Sequence, residues 1–332
     1  RKESGADALL LMSQAGNIGG SALADVLTGK EMPCGRLTDT WAERYEDYPC
    51  AGKFSHMNGD LDDEYYEEGI YVGYRYFDSF GIEPAYPFGY GLSYTDFRMD
   101  TESVQAEGGS VTLKVRVTNT GERFSGREVV QVYYSAPEGR LEKPWQELAA
   151  FGKTRELAPG EAQCLELSFP VERMASYDEG KASWVLERGD YIIRVGSSSR
   201  NTSVAAILTL DGEAVTEKLS NRFAPDCQMK QLTVGEAAHP VSREEKAQSQ
   251  TADRLVIHAA DIVCRGTEYQ KENPVLPGVD GKKITMDDVR AGAASLDELV
   301  GQLTVEEMAE LCVGTARGGM GAGSVIGAAS AV

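Results

Sequence analysis

Carboxylates and aromatic rings are the side chains of this sequence whose types and spacing could do chemistry. Five acidic residues crowd one short segment, at Asp62, Asp63, Glu64, Glu67 and Glu68. A calcium site needs oxygen ligands at alternating positions around a glycine turn, and the segment lacks that pattern. The spacing therefore favours a solvated acidic loop over a cation site.

A block rich in tyrosine and glycine follows, over residues 65–94. Exposed tyrosine rings can stack on sugars, whereas rings in an interior pack on one another, with glycines where backbones approach closely. The second interpretation, a buried seam, is favoured. Trp145 and Trp184 are likewise predicted to be core or inter-domain anchors. If the Trp184 ring is buried, Trp184→Ala should cost about 3–5 kcal/mol.

Other reactive residue types stand alone. His258 lies in an apolar run, which is typical of a packed histidine, and the glycine turn at residues 16–20 lacks a phosphate-loop pattern. The cysteines show no spacing typical of zinc and are predicted to be free thiols of a reducing compartment: Cys34, Cys50, Cys164, Cys227, Cys264 and Cys312. We predict no cofactor and no metal site.

The composition limits the partners. The chain has 332 residues, with 33 basic and 52 acidic side chains and a net charge of −19. Nucleic acid and anionic membrane surfaces repel such a protein. No window approaches the roughly 18 apolar residues of a membrane span. The sequence therefore predicts a globular protein with two or three domains that binds neither nucleic acid nor membranes.

The elements that must position these side chains change in character along the chain. Residues 6–12 are apolar and predict a buried parallel strand, and the glycine turn leads into a helix over 21–28. From residue 110 apolar positions alternate, and four such sets predict an antiparallel β-sandwich: 111–117, 130–134, 165–169 and 191–195. A further strand is predicted at 204–210.

The last third of the sequence is predicted to be a connector followed by helices. Residues 242–251 fit a surface connector or a short helix. Three capping boxes then predict three helix starts, at Thr285 with Asp288, Ser295 with Glu298, and Thr304 with Glu307. A glycine-rich stretch occupies residues 314–323.

Several motifs in order resemble glycoside hydrolase family 3. Residues 19–29 and 33–40 resemble the end of its α/β sandwich domain, although Ile18 and Cys34 replace the usual Glu and Ser. Further signatures of its β-glucosidases and of its fibronectin type III-like domain are matched at 66–78, 87–94, 129–133, 144–148, 151–153, 158–161 and 184–196. Residues 303–311 are similar to the opening of the catalytic (β/α)8 barrel, which implies the reversed domain order of some bacterial members.

The resemblance implies a multidomain α/β plus all-β fold. The expected parts are the C-terminal part of the α/β sandwich domain at 1–100, the fibronectin-like sandwich at 101–212, a connector at 213–284 and the truncated start of the barrel at 285–332. The chain is thus expected to be a fragment with a short helical tail.

The implied activity is retaining hydrolysis of terminal β-linked glucose by an exo-acting β-glucosidase. In the family the nucleophile is an Asp of the barrel and the acid/base is a Glu upstream of the glycine turn. Both are therefore expected outside residues 1–332. We assign no catalytic residue, and we expect the chain by itself to be inactive.

Two alternatives stay open. One is a β-xylosidase of the same family. The other is a non-catalytic carbohydrate-binding or scaffolding module, which should expose an aromatic row along one strand, a spacing that residues 110–200 lack. The expected partner is a small carbohydrate, a homo-oligomer is compatible with the sequence, and the charge and thiols favour the cytoplasm.

Overall fold

The computed structural model describes residues 5–53, 57, 59–222, 229–235, 241–266 and 283–312. The chain forms two compact units, Arg1–Thr267 and Glu268–Val332. No helix within the described residues is long and apolar enough to cross a membrane.

In its described residues, the first part of unit one contains two helices, an isolated antiparallel bridge between Trp41 and Tyr86, and no strand of a sheet. Helix α1 spans Gly19–Leu27, as the sequence predicts, and α2 spans Tyr74–Ser79, with 3₁₀ turns at Tyr45–Asp47 and Ala51–Lys53 between them. The strand predicted at residues 6–12 is wrong, because the structure forms no strand in this segment and its side chains are exposed. A parallel strand needs neighbouring strands for its hydrogen bonds, and the described residues supply none here.

Three sheets build the rest of unit one. The strands in chain order are β1 (Phe97–Glu107), β2 (Ser110–Asn119), β3 (Val129–Ser135), β4 (Glu147–Lys153), β5 (Ala162–Pro170), β6 (Ser176–Asp178), β7 (Ser183–Leu186), β8 (Gly189–Ser198), β9 (Asn201–Leu210), β10 (Ala214–Lys218), β11 (Asp253–Ile257) and β12 (Arg265–Gly266). The sheet orders are β1-β2-β5, β11-β9-β8-β3-β4 and β12-β10-β7-β6. The four predicted alternating strands are confirmed as β2, β3, β5 and β8, and the further one as β9.

The core lies between the three-stranded and five-stranded sheets. On β2 the side chains of Val111, Leu113, Val115 and Val117 are fully buried and alternate with polar neighbours. Strand β3 is buried on both faces, because its outer face is covered by the aromatic block of residues 71–88. We call residues 5–94 the α/β part, after the domain that the sequence predicts there; it is followed by the β-sandwich.

The stretch predicted as a connector contributes to the sheets. Helix α3 (Arg243–Thr251) starts at Ser242, whose Oγ accepts the Glu245 N–H at 3.0 Å, and it leads into β11, which pairs parallel with β9. Parallel neighbours require a crossover, and α3 supplies it. The apolar run around Leu255 is thus an edge strand of the sandwich.

The described part of unit two, residues 283–312, contains three short helices, α4 (Met286–Arg290), α5 (Leu296–Gly301) and α6 (Val305–Cys312). All three predicted capping boxes are confirmed by reciprocal hydrogen bonds. The Glu307 N–H, for example, donates to Thr304 Oγ1 at 3.1 Å, and the Thr304 N–H donates to Glu307 at 2.8 Å. The glycine-rich stretch at 314–323 lies outside the described residues.

Candidate functional site

The aromatic block packs against the sandwich, and we call this contact between residues 71–89 and the sandwich the seam. The Tyr74 ring lies 4.8 Å from Phe88 and 5.9 Å from Tyr133, measured between ring centres. The Leu148 N–H donates to the Tyr74 hydroxyl at 2.9 Å, and burial raises the pKa of Tyr74 to about 12. The buried-seam interpretation is confirmed for these rings, whereas Tyr66 is 73% exposed.

A buried carboxylate forms the polar centre of the seam. Asp78 accepts hydrogen bonds from Arg200 Nε at 2.6 Å and from Gln146 Nε2 at 2.9 Å. Arg200 also donates to the carbonyls of Phe77 at 3.0 Å and Ile82 at 2.7 Å. One arginine of the sandwich therefore holds both the side chain and the backbone at the end of α2.

A second set of contacts ties the earlier loop to β3. Arg36 pairs with Glu128, both nearly buried, and Gln131 Nε2 donates to the Gly89 carbonyl at 3.2 Å. Gly89 has φ +80°, and a Cβ there would lie 2.1 Å from the Gln131 side chain, so the close approach requires glycine. The α/β part and the sandwich are thereby held in one arrangement.

A groove of about 1240 Å³ opens beside the seam. One wall comes from the α/β part, with residues 38–41, 48–49, 70, 72–75 and 88. The other comes from the sandwich and the strands joined to it, with residues 134, 142, 144, 147–148, 172–173, 175–177, 179, 184, 216–217 and 265. Its lining mixes aromatic rings, carboxylates, arginines and hydroxyls. Such a surface can bind polyhydroxylated ligands, because ring faces take apolar C–H edges and charged groups bind hydroxyls.

The carboxylates on the seam side of the groove already have partners. Glu147 lies 3.7 Å from Arg75, and burial raises the pKa of Glu147. Glu142 accepts the Tyr71 hydroxyl at 2.7 Å and the Val234 N–H at 2.9 Å. These contacts fix the loop that carries Glu142 and Glu147 and give both carboxylates a structural role.

Two residues that the sequence predicts to be packed, Trp184 and His258, are exposed in the structure. Trp184 is 38% exposed and lines the groove, so the core alternative of its prediction is wrong; on a strand the residue between buried Ser183 and Val185 faces outward. The inter-domain alternative stays a prediction. His258 is also exposed, and its Nδ1 lies 2.7 Å from Asp211 Oδ2. Trp145 is half-buried, with the Arg194 guanidinium 5.2 Å above its ring.

The other candidates form no reactive centre in the described ranges. The acidic segment is exposed at Asp62–Glu64, and the N–H groups of Asp62 and Asp63 donate to Asp60. No cluster of three or more metal-binding side chains occurs there, and the five described cysteines are free thiols. Cys227, His56 and His239 lie outside the described residues.

Comparison with known domains defines the two parts of unit one. Residues 2–94 match the C-terminal domain of glycosyl hydrolase family 3, and residues 128–199 match the fibronectin type III-like domain. These matches agree with the α/β part and the sandwich, and they place the chain among multidomain glycoside hydrolases.

Relatives and solved structures agree with this class. The chain is 34% identical to β-glucosidase A of Butyrivibrio fibrisolvens, over 96% of this chain and 42% of that protein, and 37% identical to a β-glucosidase of Ruminococcus albus, over 90% and 30%. A β-glucosidase structure from Paenibacillus barengoltzii has a TM-score of 0.66 at 38% identity, over 89% of this chain and 32% of that one. β-Glucosidase 3B of Thermotoga neapolitana, in complex with glucose, has a TM-score of 0.58 at 46% identity, over 62% and 28%.

The chain thus carries a C-terminal domain of glycosyl hydrolase family 3 followed by a fibronectin type III-like domain, as the motifs at 19–40, 66–94 and 129–196 indicate. It spans less than half of the length of the curated relatives it matches.

Proposed function

We propose that this chain is part of a retaining, exo-acting β-glucosidase that removes terminal β-linked glucose from oligosaccharides or glycosides. One observation carries the proposal. The similarity to β-glucosidase A of B. fibrisolvens runs through 96% of the chain, across the α/β part, the sandwich and the region that follows.

The proposed reaction needs two carboxyl groups about 5–5.5 Å apart. One attacks the anomeric carbon to form a glycosyl-enzyme, while the other protonates the leaving oxygen and then activates water. In this chain Glu142 and Glu147 are engaged by Tyr71 and Arg75. This engagement supports our proposal that neither of them is the nucleophile or the acid/base, and that both catalytic residues lie on polypeptide outside this sequence.

The residues of this chain would then act by positioning. The Asp78–Arg200 contact and the edge-to-face packing of Tyr74 on Tyr133 hold the α/β part against the sandwich. We propose that the sandwich buttresses the larger domains, so that a carboxylate carried by the α/β domain meets its partner with little reorganisation.

The proposed domain order is α/β part (1–100), sandwich (101–212), connector (213–284) and barrel opening (285–332). This order is supported by the share of the chain that each relative matches. The Butyrivibrio and Ruminococcus proteins match 96% and 90% of the chain, whereas a β-glucosidase from Kluyveromyces marxianus matches 58%. The last third of the chain thus accompanies the sandwich in the first two proteins.

Glucose is the proposed sugar because the relatives with the longest matches are named β-glucosidases. A Bifidobacterium breve relative, 34% identical over 62% of the chain, is an exo-α-(1→6)-L-arabinopyranosidase. The activity assay should therefore compare an aryl β-glucoside with an aryl β-xyloside and an aryl α-L-arabinopyranoside as alternative substrates.

We propose a cytoplasmic location on the basis of the five free thiols at described positions. A reducing compartment keeps such thiols unpaired. Thiol titration of the unfolded protein from its native source, without added reductant, should find all six cysteines reactive; a paired cysteine would argue against this location.

The activity is tested with an aryl β-glucoside and two polypeptides. One is the 332-residue chain, and the other extends it to the length of the Butyrivibrio relative. We expect turnover by the longer polypeptide and none by the shorter one. Turnover by the 332-residue chain would place the active site within these residues, and inactivity of both on every glycoside would refute the proposed function.

A further inference from the structure

Four side chains line up across the β12-β10-β7-β6 sheet, although they are far apart in the sequence. Trp184 on β7 is directly opposite Tyr177 on β6 and Glu217 on β10, and Glu217 is opposite Arg265 on β12. Opposed residues of neighbouring strands point to the same face. All four side chains line the groove. Adjacent strands are about 4.8 Å apart, so this row extends for roughly 14 Å.

At the aromatic end of the row, the Trp184 ring is accessible to solvent and the Tyr177 ring is held by hydrogen bonds. Trp184 is 38% exposed, and its ring centre lies 5.4 Å from that of Tyr177 at an interplanar angle of 59°. The Tyr177 hydroxyl donates to Asn221 Oδ1 at 2.5 Å, and Asn221 Nδ2 donates to the Glu179 carbonyl at 2.8 Å. The two rings therefore form an angled cradle whose geometry is set before any ligand arrives.

The polar end of the row carries charges of both signs. Arg265 pairs with Glu172, which also lines the groove, and Glu217 lies between Arg265 and Trp184. A carboxylate and a guanidinium side by side can accept from and donate to neighbouring hydroxyls. Because the whole chain carries a net charge of −19, this surface disfavours phosphates and other anions.

We infer that this row is a binding platform for a neutral oligosaccharide chain. The apolar C–H face of one pyranose would lie on Trp184 against Tyr177, and hydroxyls of the next ring would bind Glu217 and Arg265. The platform runs across the strands and not along one strand, so alternation within a single strand does not reveal it. The choice of β-linked glucose units rests on the proposed function, while the platform itself rests on the register of the four strands.

Isothermal titration of the 332-residue chain with cellotetraose tests the platform. We expect binding by the wild type, and a loss of about tenfold or more in Trp184→Ala, which corresponds to about 1.4 kcal/mol. The matched control is Phe151→Ala, which removes an aromatic ring that is 68% exposed on β4 of another sheet. This control should bind cellotetraose as the wild type does.

Two milder substitutions separate a loss of binding from a loss of folding. Trp184→Phe retains a ring and should weaken binding less than Trp184→Ala, and Glu217→Gln removes a charge but no ring and should weaken it as well. No heat of binding in the wild type, or equal affinities of Trp184→Ala and Phe151→Ala, would overturn the inference. Hydrolysis of the aryl β-glucoside is a separate measurement, so failure of the proposed function leaves the binding result readable.

Discussion

Replacing Arg200 with alanine is expected to break the seam. The guanidinium is the charged partner of Asp78, whose side chain is 2% exposed, and Arg200 itself is 22% exposed. Removing one partner of a buried ion pair costs about 3–5 kcal/mol, because the other charge stays buried without compensation. The carbonyls of Phe77 and Ile82 lose a donor as well. Since Arg200 is partly solvated, we expect the lower end, about 3 kcal/mol.

Urea unfolding followed by tyrosine and tryptophan fluorescence measures this loss. With an m-value of roughly 2–3 kcal/mol per molar urea, the midpoint should fall by about 1 M. The α/β part is expected to unfold before the sandwich in Arg200→Ala, because the substitution removes contacts between the two and leaves the sandwich core intact. Circular dichroism of the strands should then report a later transition than fluorescence of the seam.

Arg98→Ala is the matched control. Arg98 Nε pairs with Asp100 at 2.9 Å, but the two side chains are 65% and 49% exposed. Such a pair contributes at most about 1 kcal/mol. A midpoint of Arg200→Ala no lower than that of Arg98→Ala would refute the reasoning that the Asp78 contact holds the seam.

Two further predictions concern the backbone and pH. Gly196→Ala should unfold at much lower urea than the wild type, because its Cβ would lie 1.8 Å from the Asn201 carbonyl oxygen, whereas Gly20→Ala meets open space in α1 and should be neutral or stabilising by about 0.5–1 kcal/mol; equal midpoints would contradict this. Asp211 raises the pKa of His258 above 6.5, so the stabilisation by this pair is full below pH 6.5 and is lost as the pH rises through the higher folded-state pKa. The Ala259 N–H, and after it His258, lower the pKa of Asp211 below 3.8, so the contribution also disappears in strong acid. The melting temperature of His258→Gln should therefore fall below that of the wild type near pH 5.5 and match it near pH 9, and a difference independent of pH would exclude the ion pair as its cause.

Strands and helix starts could be predicted from the sequence because their signals are local. The alternation from Val111 to Val117 reports one buried face of β2, and the Ser295–Glu298 box is closed by hydrogen bonds three residues apart. The seam was also foreseen, since the block at 65–94 concentrates rings and glycines. The strand prediction at residues 6–12 was wrong because an apolar run indicates only that the segment favours burial. It does not show that a neighbouring strand is present to pair with it.

The face on which a side chain lies could not be read from the chain. Trp184 is of a residue type common in protein cores, yet the pairing of β7 with its neighbours places its side chain on the outer face. His258 directly follows β11, and its side chain is exposed and contacts Asp211. The sequence by itself determined strands β2, β3, β5, β8 and β9, the helix caps and the family resemblance. Tertiary structure alone decided that Tyr177, Trp184, Glu217 and Arg265 share one row, because strand register is set by hydrogen bonds between distant segments and by burial of the opposite face.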